Sequence, residues 1–96
     1  MDFKERIYNL SKEAVFDAVL NISECQLSDK DINRKISEFN LLNDSLSVIV
    51  FFTVIEESLQ ENNIHIIFDL DNSNKLNSIK TIEDLIGFVE SMMKNE

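Results

Sequence analysis

The sequence contains no proline and a single glycine, Gly87, among its 96 residues. Hairpins and tight turns depend on these two residue types, so their scarcity argues against an all-β sandwich or barrel. Cys25 is the only cysteine, which excludes an internal disulfide and any metal site built from several thiolates. No apolar run approaches the ~18 residues of a membrane span, and segment 1–9 lacks the apolar stretch of a secretory signal. We therefore expect a soluble, cytoplasmic protein without a membrane span.

Basic residues are also scarce, because nine lysines and arginines stand against eighteen acidic residues and the formal net charge is -9. Such a charge repels a phosphate backbone and cannot supply the counterion release that drives nucleic-acid binding. Nucleic acid is therefore excluded as a partner. Long-range electrostatic steering instead favours proteins with basic patches, although the charge could simply keep the chain soluble.

Length and hydrophobic content, 44% of residues, predict a single domain over residues 1–96 with one small core. We expect this domain to be a monomer. Near the N-terminus, apolar residues recur at steps of three or four, which predicts an amphipathic helix with Asp2 as its N-cap. These residues are Phe3, Ile7, Leu10, Ala14, Ala18 and Ile22. Segment 23–43 then reads as a long loop held on the core by scattered apolar residues, with room for a helical turn over 31–39.

The run Val48 to Ile55 is rich in β-branched and aromatic residues, and propensity alone favours a buried strand. Two features favour a helix instead. Asp44 and Ser45 are helix-capping residues immediately before the run, and Glu56 to Leu59 extend it beyond the length of most strands. We predict a helix whose outward face carries Ile49, Val50 and Thr53.

The C-terminal part begins with an ambiguous apolar run, Ile64 to Leu70, that fits either a short helix or a strand. The last element is clearer, since Thr81 and Asp84 have the spacing of a capping box. Five apolar residues then share one helical face: Ile82, Leu85, Ile86, Val89 and Met93.

The hexapeptide Leu41-Leu42-Asn43-Asp44-Ser45-Leu46 resembles the Leu-Gly-Ala-Asp-Ser-Leu motif of acyl and peptidyl carrier proteins. The order of elements is similar too: an amphipathic first helix, a long loop, a second helix that starts at the motif, and a short third segment. Segment 78–89 resembles the final Thr-Val-x-Asp-Leu-x-x-Tyr-Ile stretch of that family. The resemblance spans nearly the whole chain, and it implies an all-α four-helix bundle with a long loop between the first and second helices.

The resemblance implies that Ser45 carries a covalent 4'-phosphopantetheine arm, and that Asp44, Leu46, Ile49 and Val50 belong to the surface that partners recognise. It further implies a non-catalytic, stand-alone carrier of acyl, aminoacyl or peptidyl thioesters. Its partners would be a phosphopantetheinyl transferase and the enzymes that load and process the cargo.

Two departures from the family pattern affect the expected partners. Leu42 replaces the glycine three residues before the serine, and Ser47 and Val50 replace acidic residues that follow it in the fatty-acid carrier. These changes favour a specialised biosynthetic pathway over housekeeping fatty-acid synthesis, which is the nearer alternative. A carrier fold that is never modified and only binds another protein is the alternative of another class.

The sequence gives little support for catalysis or for metal binding. His65 and Cys25 are the only residues of their types, and nothing in the sequence places them together as a nucleophilic pair. Asp69 and Asp71 resemble the start of a calcium loop, but Asn74 and Lys80 stand where that loop needs Gly and Glu. We therefore predict neither catalysis nor metal binding.

Overall fold

The computed structural model describes residues 3–39, 41, 45–65 and 78–94. These ranges contain three α-helices, α1 (Phe3–Ser23), α2 (Ser45–Gln60) and α3 (Ile82–Lys94), and two 3-10 helices, Asp29–Asp31 and Ile36–Phe39. Within them the only β-type pairing is an isolated bridge between Lys35 and Thr81. The all-α prediction is confirmed for the described part of the chain. Residues 66–70 of the predicted third segment lie outside it, so the four-helix arrangement stays a prediction.

Helix α1 buries a stripe that differs in part from the predicted one. Its buried residues are Ile7, Ser11, Ala14, Val15, Ala18 and Val19. The prediction that Ile22 joins this stripe is wrong, since its side chain is 37% exposed. Each step of four residues turns about 40° beyond a full helical turn, so repeated steps of four rotate the later positions away from the core.

Helix α2 forms over the run that strand propensity favours. Phe51, Phe52, Ile55 and Leu59 lie at helical spacing on one face, and each is at most 1% exposed. The Phe52 ring packs edge-on against Phe51 and at a tilt against Phe88, with both centroid distances 5.6 Å. Burial of these large side chains outweighs the weak preference of β-branched residues for strands. The helix prediction is confirmed.

The end of α2 is set by a left-handed residue. Asn63 has a φ of 63°, the N–H of Ile64 donates to the Leu59 carbonyl at 3.0 Å, and the N–H of Asn63 donates to Gln60 at 2.9 Å. This is the Schellman arrangement, in which the last carbonyls of a helix receive donors from the residues that leave it.

The start of α3 has the predicted capping box. The Thr81 hydroxyl accepts the N–H of Asp84 at 3.1 Å, and the Asp84 carboxylate accepts the N–H of Thr81 at 3.2 Å. The core-facing residues Ile82, Leu85, Ile86 and Val89 are fully buried, whereas Met93 is half-buried. The predicted face is confirmed, with its strongest burial in the first two turns.

The connection from α1 to α2 is bound to the beginning of α3. The N–H of Ile82 donates to the carbonyl of Arg34 at 3.0 Å, and the N–H of Glu83 donates to Ile32 at 2.7 Å. The N–H of Ile36 in turn donates to Lys80 at 2.9 Å. Backbone carbonyls of the connection therefore satisfy donors that the first turn of any helix leaves unpaired.

Apolar side chains also fix this connection to the core, as the sequence predicts. Its buried residues are Leu27, Ile36, Phe39 and Leu41. At the junction with α1, the Ser23 hydroxyl donates to the carbonyl of Phe39 at 2.7 Å. Buried side chains up to Leu41 thus fix the described part of the connection against the core.

Candidate functional site

Ser45 is the first residue of α2. The first N–H groups of a helix have no acceptor within the helix, and the aligned peptide dipoles place a partial positive charge at this end. A phosphate group attached here would meet both stabilising features. Asp44, predicted as the N-cap and as a recognition residue, lies outside the described residues, as does Leu42.

Three apolar side chains on α2 near Ser45 point away from the core. Leu46 is 69% exposed, Ile49 is 52% exposed and Val50 is 44% exposed. Their spacing of three and four residues places them on one face of the helix. All three predicted recognition residues in the described part of α2 therefore share a surface. Their role in recognition stays a prediction.

Thr53 extends this surface by one turn. Its side chain is exposed, and its hydroxyl donates to the carbonyl of Ile49 at 2.8 Å. The hydroxyl hydrogen of Thr53 is used in this bond to the helix backbone, so Thr53 can contact a partner without donating a hydrogen bond to it. We call Leu46, Ile49, Val50 and Thr53 the apolar face of α2.

The apolar face carries no charge of its own. From Ser45 to Ile55 the sequence has no charged residue, and the first turn of α2 has no acidic side chain. Acidic residues begin at Glu56, and Glu57 is exposed one turn beyond Thr53. In a chain with a net charge of -9, this uncharged stretch next to Ser45 stands apart from the general composition.

Three carboxylates on the connection and at the start of α3 have lowered pKa values. The N–H of Ser28 lowers the pKa of Asp31, and the N–H of Lys35 lowers that of Glu38. The N–H groups of Lys80 and Thr81 act in the same way on the pKa of Asp84. A lowered pKa keeps a carboxylate ionised at neutral pH, which suits a capping role and not that of a general acid.

The guanidinium of Arg34 joins two of these carboxylates. It lies 3.3 Å from Asp31, 3.2 Å from Glu38 and 4.7 Å from the centre of the Phe39 ring. These contacts hold the two 3-10 helices of the connection together at the surface. Such exposed ion pairs contribute little to stability, so the cluster serves local geometry more than overall stability.

The residues considered for other chemistry lie at the surface. Cys25 is an exposed free thiol, and His65 is exposed. In the ranges that the structure describes, no group of three or more His, Cys, Asp and Glu side chains could hold a metal ion. Nor is any described helix both long enough and apolar enough to cross a bilayer. Asp69 and Asp71, the rejected calcium ligands, lie outside these ranges.

Comparisons with known proteins do not identify a relative. The sequence matches no protein-family profile, and searches of curated proteins and of solved structures give no match.

The carbonyl groups of Ile32 and Arg34, which cap α3, were not predicted from the sequence. Every residue has a backbone carbonyl, so the residue types do not show which carbonyls will accept hydrogen bonds from the start of a helix. Thr53 was predicted to face outward, but its bond to Ile49 depends on the helix geometry and was not foreseen.

Proposed function

We propose that this chain is a carrier protein that holds thioester intermediates on a phosphopantetheine arm attached to Ser45. The observation that carries the proposal is the position of Ser45 as the first residue of α2, beside an exposed apolar face. A covalent carrier needs its attachment residue at the surface, close to features that an external enzyme can recognise. The exposed side chain of Leu46, the residue after Ser45, supports this proposal.

The chemistry of the arm fits this end of the helix. In the transfer the hydroxyl oxygen of Ser45 attacks the phosphorus that bears the pantetheine arm of coenzyme A. The pyrophosphate bond breaks, adenosine 3',5'-bisphosphate and the hydroxyl proton leave, and Ser45 carries a phosphodiester with one negative charge. That charge would lie at the positive end of α2, where the helix dipole favours anions. The reactive thiol belongs to the arm, so partner enzymes perform the bond-making steps. The carrier contributes a high effective concentration of the tethered intermediate at each active site.

The test is incubation of the purified chain with coenzyme A and a broad-specificity phosphopantetheinyl transferase, followed by intact mass measurement. We expect the wild type to gain the mass of one phosphopantetheine and Ser45→Ala to gain none. Ser47→Ala, two residues along the same helix, is the matched control and should be modified like the wild type. A wild type that gains no mass would refute the carrier function.

The specialised pathway is proposed on the composition of α2. Ser47 and Val50 occupy the positions at which the fatty-acid carrier has acidic residues. Enzymes that recognise those acidic side chains would therefore lose their contacts with them. We expect the modified chain to be a poor acceptor for the malonyl transferase of fatty-acid synthesis. Efficient malonyl loading would instead support the housekeeping alternative.

A second candidate function is a protein-binding module that is never modified, and the exposure of Leu46, Ile49 and Val50 favours it. An exposed cluster of large apolar side chains is a common mark of a binding surface, whether or not a prosthetic group is nearby. The mass measurement separates the two candidates, because only the carrier requires the arm on Ser45.

A further inference from the structure

Two adjacent methionines lie near the end of α3, and their side chains have different surroundings. Met92 and Met93 are both half-buried and pack against the core. Successive residues of a helix point about 100° apart, so the two side chains leave α3 in different directions. The thioether sulfur is the atom that peroxides oxidise, and oxidation turns an apolar side chain into a polar one. The surroundings of each side chain therefore decide which methionine reacts.

The sulfur of Met93 faces a buried serine. The hydroxyl oxygen of Ser11 lies 3.2 Å from this sulfur and 2.8 Å from the carbonyl oxygen of Ile7. Ser11 is fully buried, and it is the only buried polar residue in the part of the chain that the structure describes. A hydroxyl that donates to sulfur engages a lone pair, and a sulfur lone pair is what attacks an oxidant. Ser11 also occupies the space from which an oxidant would approach on that side.

Met92 instead lines a surface cavity of about 290 Å³. The other lining residues are Ser78, Ile79, Asp84, Phe88 and Ser91. A water molecule takes up about 30 Å³ in the liquid, so the cavity has room for hydrogen peroxide, which is a little larger than water. The cavity therefore gives an oxidant a route to Met92 that Ser11 obstructs at Met93.

We propose that Met92 is a site of reversible oxidation by hydrogen peroxide and that Ser11 protects Met93 from the same reaction. In this step, a lone pair of the Met92 sulfur attacks one oxygen of the peroxide and the O–O bond breaks. That oxygen stays on the sulfur as a sulfoxide, and the other oxygen leaves with both hydrogens as water. The sulfur loses two electrons and the peroxide gains them. The reaction does not depend on an arm at Ser45.

Oxidation of Met92 should weaken the packing of α3. Met92 packs against the core and lines the same cavity as Phe88, whose ring lies 5.6 Å from that of Phe52. A sulfoxide oxygen in this position needs hydrogen-bond donors that apolar neighbours do not supply. We therefore expect the oxidised chain to unfold at a lower temperature, and we expect methionine sulfoxide reductases to reverse the change.

The first measurement is the oxidation rate of each methionine in the folded chain. The purified chain is treated with hydrogen peroxide at neutral pH, quenched with free methionine and digested, and mass-spectrometric fragmentation assigns the sulfoxide to Met92 or Met93. We expect Met92 to react at least about tenfold faster than Met93. In urea, where the fold shields neither sulfur, the two rates should agree within about twofold. Equal rates in the folded chain, or faster oxidation of Met93, would overturn the proposal.

Ser11→Ala tests the protection of Met93, because alanine fills most of the same space and donates no side-chain hydrogen bond. The rate at Met93 should rise at least about threefold, and the rate at Met92 should not change. Ser58→Ala is the matched control, since its hydroxyl donates to the carboxylate of Asp17 at 3.1 Å. An unchanged Met93 rate in folded Ser11→Ala would refute the role of Ser11. If this variant does not fold, the comparison of folded and unfolded wild type still decides the proposal.

The second measurement is Tm before and after peroxide treatment, followed by circular dichroism. The wild type should lose about 4 °C or more, and methionine sulfoxide reductases A and B with dithiothreitol should restore the original Tm. Met92→Leu is the matched variant, because leucine keeps the apolar volume and the variant still contains Cys25 and Met93. Its Tm should change by less than about 1 °C on treatment. An equal fall in both proteins would assign the effect to another residue and refute the consequence inferred for Met92.

Discussion

The carboxylate of Asp84 offers a direct test of how the start of α3 is stabilised. It accepts the N–H groups of Lys80 at 3.1 Å and Thr81 at 3.2 Å. Loss of a capping side chain costs about 1 kcal/mol, and water can replace part of the loss because Asp84 is exposed. We therefore expect Asp84→Ala to lower the free energy of unfolding by about 1 kcal/mol. For a domain of this size, that corresponds to a fall in Tm of about 4–8 °C.

Asp84→Asn separates the charge from the hydrogen bonds, because asparagine keeps one acceptor oxygen. The two N–H donors hold the pKa of Asp84 below its ordinary value of 3.8 in the folded state. The carboxylate therefore stabilises the fold above that ordinary value, and the stabilisation is lost as pH falls through the lower, folded value. The stability difference between wild type and Asp84→Asn should be full at neutral pH and should shrink below about pH 4.

The assay for both Asp84 variants is urea unfolding followed by far-ultraviolet circular dichroism, at neutral pH and at the lowest pH where wild type and variant both remain folded. Glu83→Gln is the control, because this exposed carboxylate lies in the same turn and acts through the helix dipole, worth less than about 1 kcal/mol. Equal stability of Asp84→Ala and wild type at neutral pH would refute the capping argument. A gap for Asp84→Asn that does not shrink in acid would refute the assignment to charge.

Two further substitutions test the packing and the backbone. Phe52→Ala should lower the free energy of unfolding by about 3–5 kcal/mol in urea, because it removes a buried ring that packs against Phe51 and Phe88. A loss below about 1 kcal/mol would contradict a tightly packed α2. Glu24 has a φ of 58°, a left-handed backbone conformation that costs a residue with a side chain about 1 kcal/mol relative to glycine. Glu24→Gly removes this cost and should therefore raise Tm. Glu13→Gly, at an exposed position within α1, should lower Tm, and a fall in Tm for both variants would show that Glu24 is not strained.

The outcome for α2 shows how tertiary burial decides between local alternatives. Val48 to Ile55 satisfies the composition of a strand, and only its length and the capping residues before it favoured a helix. In the fold, Phe51, Phe52, Ile55 and Leu59 are all buried on one side of a helix. A strand would have divided the same residues between two faces, because alternate side chains of a strand point in opposite directions.

The sequence by itself determined those features that depend on neighbours along the chain. The scarcity of glycine and proline, the capping pair Thr81 and Asp84, and the spacing of the apolar residues after them were enough to predict helices and the start of α3. The outward direction of Ile49 and Val50 followed from helical register once the helix was assumed. Such features are local, since i to i+3 and i to i+4 contacts are set by helix geometry alone.

Only the tertiary structure decided which atoms meet across long stretches of sequence. The Ile32 and Arg34 carbonyls accept hydrogen bonds from the first turn of a helix that begins at Ile82. The residue types at these positions do not predict that pairing. Ile22 continues an apolar pattern and yet is exposed, because α1 rotates that position away from the core by its end. The physical reason is the same for both, because backbone pairing and burial depend on how helices pack against one another. A sequence pattern specifies which face of a helix is apolar, but it says less about which other element that face will contact.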